Sequence, residues 1–170
     1  KTFMSFINKY FGKTTFVNLL AIVIIFILDR ISKTYVMFLS NNLIEDELFS
    51  SAYLNIYLIW NKGIAFGLLS FQHNFFYNII SVLIASIIFV LFNLLYRSSG
   101  LKRISYILVV GGALGNLFDR ILYKSVPDFI DFHYNNFHWF IFNFADIFIT
   151  LGIFCLIYVE FINHKEFKNV

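Results

Sequence analysis

Four long apolar runs dominate the chain, and polar segments separate them. They cover approximately residues 16–39, 75–96, 104–123 and 140–162. A helix needs about 20 residues to cross the hydrocarbon core of a bilayer, so each run is long enough to span a membrane. The pattern predicts an all-α membrane protein with four transmembrane helices.

Two long segments connect these spans, at about residues 40–74 and 124–139. Within the first, Tyr53–Trp60 is rich in aromatic and branched residues, and the turn sequence Asn61-Lys62-Gly63 follows it. We therefore predict a small periplasmic β-sheet at the membrane surface, together with an outer loop from the second segment. No repeat or linker divides the chain, so residues 1–170 are expected to form a single membrane domain.

Composition and charge support this picture and add an orientation. The chain is 59% hydrophobic and only 14% charged, which is too little charge to cover a soluble domain. Near the two termini and the short connection between spans two and three lie 8 of the 13 basic residues but only 2 of the 10 acidic ones. By the positive-inside rule this side faces the cytoplasm. Both termini are therefore expected there, and both long loops on the outer side.

The polar residues of the spans gather near the outer membrane face. They are Asp29, Arg30, Lys33, Asn116, Asp119, Arg120, Asn143 and Asp146. A charged side chain in hydrocarbon costs at least about 2.5–3.5 kcal/mol, so such a cluster requires a reason. Asp29 and Lys33 are four residues apart on a helix, which predicts a local ion pair with a structural role. An ion pair between Asp119 and an arginine also fits the pattern.

Span three contains the glycine-rich stretch GGALGNLFDR, Gly111–Arg120. At about 100° per residue, Gly112, Gly115, Asn116 and Asp119 share one side of the helix. Small residues let a neighbouring backbone approach closely, so the glycines predict a packing seam. Packing alone does not explain Asn116, Asp119 and Arg120, because three polar residues at one depth are more than a packing seam requires.

Asn61, at the end of the predicted strand in the first long connection, has two possible roles. It could form the turn, or it could contact a bound substrate.

Carboxylates are the catalytic groups that this face supplies, namely Asp119, Asp128, Asp131 and Asp146. Two carboxylates that meet in a partly dry cleft share one proton. One of them can then activate water, while the other protonates the leaving group. The residues alone indicate Asp146 as one member of such a pair and leave its partner open.

Other functions fit the residues less well. The single cysteine and the four histidines lack metal-ligand spacing, so neither a metal nor a cofactor is expected. An ion or proton carrier could use Asp29, Asp119 and Asp146 as relay groups. A carrier should distribute acids through the membrane depth, yet Glu160 is the only acid near the inner end of a span. A non-catalytic scaffold would not need converging carboxylates and asparagines.

Five short motifs resemble those of the bacterial lipoprotein signal peptidases (signal peptidase II), in family order and over nearly the whole chain. They are LDRISK, NKGIAFG, GGALGNLFDR, VPDF and FNFAD. The resemblance implies a four-span aspartic protease of the bacterial inner membrane without a cofactor. Its substrates would be diacylglyceryl-modified prolipoproteins, cleaved just before the lipidated cysteine. Membrane lipids are the other expected partners, nucleic acid is not expected, and we expect a monomer.

The resemblance also implies roles for individual residues. The aspartates of VPDF and FNFAD, which are Asp128 and Asp146, match the catalytic pair of the family. Other motif positions would bind substrate or support the site: Asn61, Gly63, Asn116, Asp119, Arg120, Asn143 and Ala145. Asp131 matches no motif element and is expected to be a solvated loop charge.

Overall fold

The structure is a computed structural model that describes residues 12–42, 47–63 and 74–168. These residues contain four long helices: α1 Lys13–Asn42, α2 Asn74–Tyr96, α3 Gly100–Tyr123 and α4 Phe144–Lys168. Each helix has a segment long and apolar enough to cross a membrane, as the hydropathy pattern predicts. The chain is therefore a multi-pass membrane protein. Residues 64–67 of the second motif and the basic residues Lys1 and Lys9 lie outside the described part.

A four-stranded antiparallel sheet joins the two long connections between helices. Its strands are β1 Phe49–Ser50, β2 Leu54–Asn61, β3 Val126–Tyr134 and β4 Phe137–Phe142, in the spatial order β1-β2-β3-β4. The predicted sheet is thus present, but it is larger than expected. The second connection forms a β-hairpin, β3–β4, rather than only a loop. Strand β3 of this hairpin also pairs with β2 from the distant first connection.

The fourth helix begins later than the sequence predicts. Residues 140–142 belong to β4, and α4 starts at Phe144 instead of near residue 140. The stretch Phe137–Phe142 is aromatic and apolar, so hydropathy alone cannot separate it from the membrane helix that follows. Asn143 marks the boundary, since asparagine is favoured immediately before a helix.

Helix α3 lies at the centre of the bundle and packs against α1, α2 and α4. In its most apolar window 61% of the residues are buried, compared with 11–17% in the other three helices. Those helices expose large apolar side chains such as Val82, Phe89 and Phe154. This distribution fits helices that contact lipid on the outside and a shared polar interior near α3.

The predicted glycine seam of α3 brings two helices close to the polar residues. A Cβ atom on Gly112 would lie 2.5 Å from the carbonyl oxygen of Ala145 in α4. A Cβ atom on Gly115 would lie 2.5 Å from Oδ2 of Asp29 in α1. Both distances are too short for a real side chain, so only glycine permits this packing. The seam therefore brings α1 and the start of α4 together against one side of α3.

Candidate active site

Asp128 and Asp146 approach each other where strand β3 meets the first turn of α4, and both are buried. Asn143 contacts both carboxylates. Its side-chain amide donates to Oδ1 of Asp128 at 2.6 Å, and its backbone N–H donates to Oδ2 of Asp146 at 3.2 Å. The structure thus joins the two predicted aspartates through a single residue.

Local helix chemistry explains how Asp146 is accommodated at the start of a membrane helix. The backbone N–H of Asp146 donates to Oδ1 of Asn143 at 3.2 Å, and the carboxylate of Asp146 accepts from Asn143 in return. This reciprocal arrangement is of the capping-box type, which satisfies helix N–H groups that lack a partner in the first turn. The partial positive charge of a helix N-terminus also favours a carboxylate there.

Asn61 forms a hydrogen bond with the second carboxylate oxygen of Asp128. Its Nδ2 donates to Oδ2 of Asp128 at 2.8 Å, while its Oδ1 accepts from the backbone N–H of Gly63 at 2.8 Å. The turn interpretation of Asn61 is therefore confirmed. The same side chain also orients a carboxylate, which the turn pattern alone did not indicate.

Asn116 links Asp146 to a buried lysine. The Nδ2 of Asn116 donates to Oδ1 of Asp146 at 2.8 Å. Its Oδ1 accepts from Nζ of Lys33 at 2.9 Å. Because an ammonium group can only donate, Lys33 selects the amide orientation in which the N–H groups of Asn116 face Asp146.

An ion-pair network lies behind this contact. Nζ of Lys33 is 2.7 Å from Oδ2 of Asp119 and 3.0 Å from Oδ1 of Asp29, so the predicted Asp29–Lys33 pair is present. The arginine that pairs with Asp119 is Arg30, whose Nη2 lies 2.7 Å from both Asp119 and Asp29. Asp29 also accepts from the backbone N–H of Ala145 at 3.0 Å. The network is thereby connected to the first turn of α4.

Arg120 is buried and connects α3 to the turn after β2. Its Nη2 donates to the carbonyl oxygen of Gly63 at 3.2 Å, and its Nη1 donates to that of Asn116 at 3.2 Å. With it, all the candidate residues from the sequence lie in one connected polar cluster. Arg30 was noted in the sequence but received no role there, because its partner Asp119 is 89 positions away.

The environment of Asp128 favours its neutral form. Burial raises the pKa of Asp128 to about 6, and the nearby Asp146 carboxylate acts in the same direction. Hydrogen bonds from Asn61 and Asn143 and the charge of Lys33 oppose this increase in the pKa. Asp128 therefore titrates close to neutral pH, where a general acid or base is most effective.

Asp131 contradicts its expected role as a solvated loop charge. Its side chain is fully buried, and Tyr57 donates a hydrogen bond from Oη to Asp131 Oδ2 at 3.3 Å. Nδ1 of His138 lies 2.7 Å from the same oxygen. The expectation is wrong because residues 126–134 form a central strand, with a neighbour on each side, rather than a loop.

An apolar cavity of about 340 Å³ opens beside Asp146. The hairpin and α4 line it with the following residues: Phe132, Phe140, Phe142, Asp146, Ile147, Thr150 and Leu151. Asp146 and Thr150 supply its polar groups. In the described part of the chain, no group of three or more His, Cys, Asp or Glu side chains could hold a metal ion.

Comparison with known proteins identifies the family of this chain. A family model for signal peptidase (SPase) II matches residues 21–162. The chain belongs to the signal peptidase II family. Membership of this family implies a protease.

Relatives and solved structures match almost the full chain. The lipoprotein signal peptidase of Pelagibacter ubique (strain HTCC1062) is 46% identical, over 94% of this chain and 96% of that protein. That of Aquifex aeolicus (strain VF5) is 37% identical over 96% of each. A bacterial membrane enzyme structure determined by the in meso method at 2.3 Å gives a TM-score of 0.72 at 29% identity, covering 92% of this chain and 93% of that one. The fold is thus that of a known membrane enzyme.

Proposed function

We propose that this chain is an intramembrane aspartic endopeptidase that removes signal peptides from diacylglyceryl-modified prolipoproteins, cutting just before the lipidated cysteine. The observation that carries the proposal is the pair of buried carboxylates, Asp128 and Asp146, joined by Asn143. The names of the relatives, which are lipoprotein signal peptidases, support this substrate class.

In this mechanism the two aspartates act as one acid–base unit. The ionised carboxylate removes a proton from a water molecule, and the resulting hydroxide attacks the scissile carbonyl carbon. The protonated carboxyl donates to the carbonyl oxygen, and a later proton transfer releases the amine of the new N-terminus. The two groups titrate together, so the shared proton belongs to the pair rather than to one residue.

The charges around the site support a singly protonated dyad. The charged side chains of the cluster are three cations and four carboxylates: Arg30, Lys33, Arg120, Asp29, Asp119, Asp128 and Asp146. Burying an uncompensated charge is expensive. One proton on the dyad makes the cluster neutral, and this is the state that acid–base catalysis requires.

The surroundings of the dyad fit a lipid-modified peptide. Acyl chains could remain in the bilayer while the apolar cavity beside Asp146 accepts the region near the scissile bond. Strand β2, which contains most of the segment Tyr53–Trp60, would form a cradle for the peptide at the membrane surface. In this arrangement the substrate reaches the dyad without leaving the membrane, and a monomer suffices.

The proposed location is the bacterial inner membrane, with both termini in the cytoplasm and the dyad near the outer face. The bias of basic residues toward the termini and the connection between α2 and α3 supports this orientation. The dyad and the sheet lie at the opposite end of the bundle, next to the ends of α1 and α3 and the start of α4.

Cleavage of a diacylglyceryl-modified prolipoprotein by the purified protein tests the proposal. We expect cleavage in the presence of EDTA by the wild type and by Glu160→Gln, whose acid is exposed near the other end of α4. Asp146→Asn should abolish it while the thermal unfolding transition persists. Cleavage by Asp146→Asn at the wild-type rate would exclude this residue, and inactivity of the folded wild type in both lipid and detergent would refute the proposed function.

A further inference from the structure

The strand that carries Asp128 has an irregular pairing with β2. Ile56 lies opposite Ile130, but Ile59 lies opposite Asp128. Two residues of β2, Tyr57 and Leu58, therefore face the single residue Phe129. Such a β-bulge shifts the register by one residue and re-aims side chains.

The bulge determines which residue of β2 can reach Asp128. Side chains two positions apart share a face of a sheet, so Asn61 lies on the same face as Ile59 and its partner Asp128. Without the bulge, Leu58 would lie opposite Asp128, and Asn61 would point to the other face. The 2.8 Å hydrogen bond from Asn61 to Asp128 thus depends on the extra residue at Tyr57 and Leu58.

Asp131 anchors this bulge from the neighbouring strand. Its carboxylate accepts a hydrogen bond from Tyr57, which is one of the two bulged residues. Burial and the Asp131 carboxylate raise the pKa of Tyr57, so the phenol stays a donor. His138 of strand β4 contacts the same carboxylate oxygen, and its ring stacks on that of His133. Burying a carboxylate is energetically unfavourable, which suggests that the role of Asp131 is to fix the positions of the side chains it contacts.

We propose that Asp131 is a positioning residue for the reaction: by holding Tyr57 in the bulge of β2, it keeps Asn61 on the face from which Asn61 hydrogen-bonds to Asp128. This inference rests on the proposed dyad chemistry. Asp131 touches neither dyad carboxylate. Its effect on the reaction therefore passes through Tyr57 and Asn61.

Kinetics of purified variants test this chain of contacts. Tyr57→Phe removes only the hydroxyl group, and Tyr134→Phe is the matched control, because Tyr134 is exposed at the end of strand β3 in the same sheet. We expect Tyr57→Phe to lower kcat about tenfold with little change in KM, as for the loss of one hydrogen bond to a charged group. Asp131→Leu should have a larger effect than Asp131→Asn, which keeps an acceptor oxygen for Tyr57. Tyr134→Phe should behave as the wild type.

A double variant separates positioning from general stability. If Tyr57 acts through Asn61, then adding Tyr57→Phe to Asn61→Ala should cause little further loss of kcat. Additive losses, or a Tyr57→Phe enzyme with the wild-type kcat, would overturn the inference. In the pH profile of kcat/KM, Tyr57→Phe should move the acidic limb to higher pH, because the Asn61 hydrogen bond favours the ionised form of Asp128.

Hydrogen exchange provides a measurement that does not need activity. Asp131→Leu and Tyr57→Phe should lower the protection of backbone amides in Leu54–Asn61, while Tyr134→Phe leaves that protection unchanged. Unchanged protection in both variants would refute the anchoring role. An inactive wild type whose β2 amides respond as expected would refute the proposed function and leave the anchor supported.

Discussion

The connected polar cluster of this protein contains two smaller clusters, which lie side by side and are built from different partners. In the first, Asp29 and Asp119 are each paired with the cations Arg30 and Lys33. In the second, Asp128 and Asp146 receive hydrogen bonds from amide groups, those of Asn61, Asn116 and Asn143. The described contacts include no direct ion pair to either of these two carboxylates.

This difference separates carboxylates that support the structure from carboxylates that are suited to proton transfer. A carboxylate paired with an adjacent cation belongs to the ion-pair network that joins α1 to α3. An amide donor fixes the position of a carboxylate without placing a cation directly beside it, as suits a group that both gives and takes a proton. Asn116 joins the two clusters, because it receives a hydrogen bond from Lys33 and donates one to Asp146.

The largest expected effect concerns activity without loss of the fold. Asp128→Asn should lower kcat by at least about 100-fold, as expected when general acid–base catalysis is removed, while the unfolding temperature in detergent stays at or above that of the wild type. Steady-state cleavage and thermal unfolding of the same preparation measure both quantities. An unfolding temperature that falls sharply would show that Asp128 also has a structural role and would weaken the contrast between the clusters.

The contrast was only partly predictable from the sequence. Hydropathy predicts the four spans because each helix must be apolar for about 20 residues. The motifs mark most of the polar cluster. Neither signal reveals that β3 pairs with β2, because helices α2 and α3 separate these two strands in the sequence. The expectation for Asp131 was wrong for this reason.

The next effect should appear in stability. Lys33 is fully buried and contacts Asp29, Asp119 and Asn116. Lys33→Met should destabilise the protein by about 3–5 kcal/mol, because it leaves two buried carboxylates with Arg30 as their one shared cation, and one buried negative charge is then uncompensated. Unfolding in a denaturing detergent series measures this loss. Asp29→Asn in the same background should recover part of this stability by removing the excess negative charge, whereas additive losses would indicate that the network is not the cause.

A pH-dependent stability effect should distinguish Asp128 from the ion-pair network. Its pKa of about 6 in the folded state exceeds the usual value near 4 in an unfolded chain. The stabilisation associated with its proton is therefore complete below about pH 4 and is lost as the pH rises through about 6. Relative to the wild type, Asp128→Asn should gain about 2–3 kcal/mol between pH 4 and pH 8. A constant stability difference across this range would contradict the raised pKa.

The smallest effect should come from Arg30, which sequence reasoning left without a role. Its guanidinium contacts Asp29 and Asp119 and lies over the rings of Phe26 and Phe118. Arg30→Lys keeps the charge but loses the forked geometry, so we expect a stability loss of about 1 kcal/mol. Cleavage should stay within about threefold of the wild type, a ratio worth less than 1 kcal/mol.

The effect of Arg30→Lys should be small because Arg30 and Lys33 have different contacts. Of these two cations, Lys33 contacts the side chain of Asn116 and through it Asp146, so the orientation of the dyad should survive the loss of the arginine fork. Thermal unfolding and steady-state kinetics of Arg30→Lys, with Arg30→Met to remove the charge as well, measure this difference between the two cations. A loss of kcat in Arg30→Lys as large as that in Lys33→Met would contradict this difference. It would show that the ion-pair cluster as a whole, and not only Lys33, contributes to catalysis.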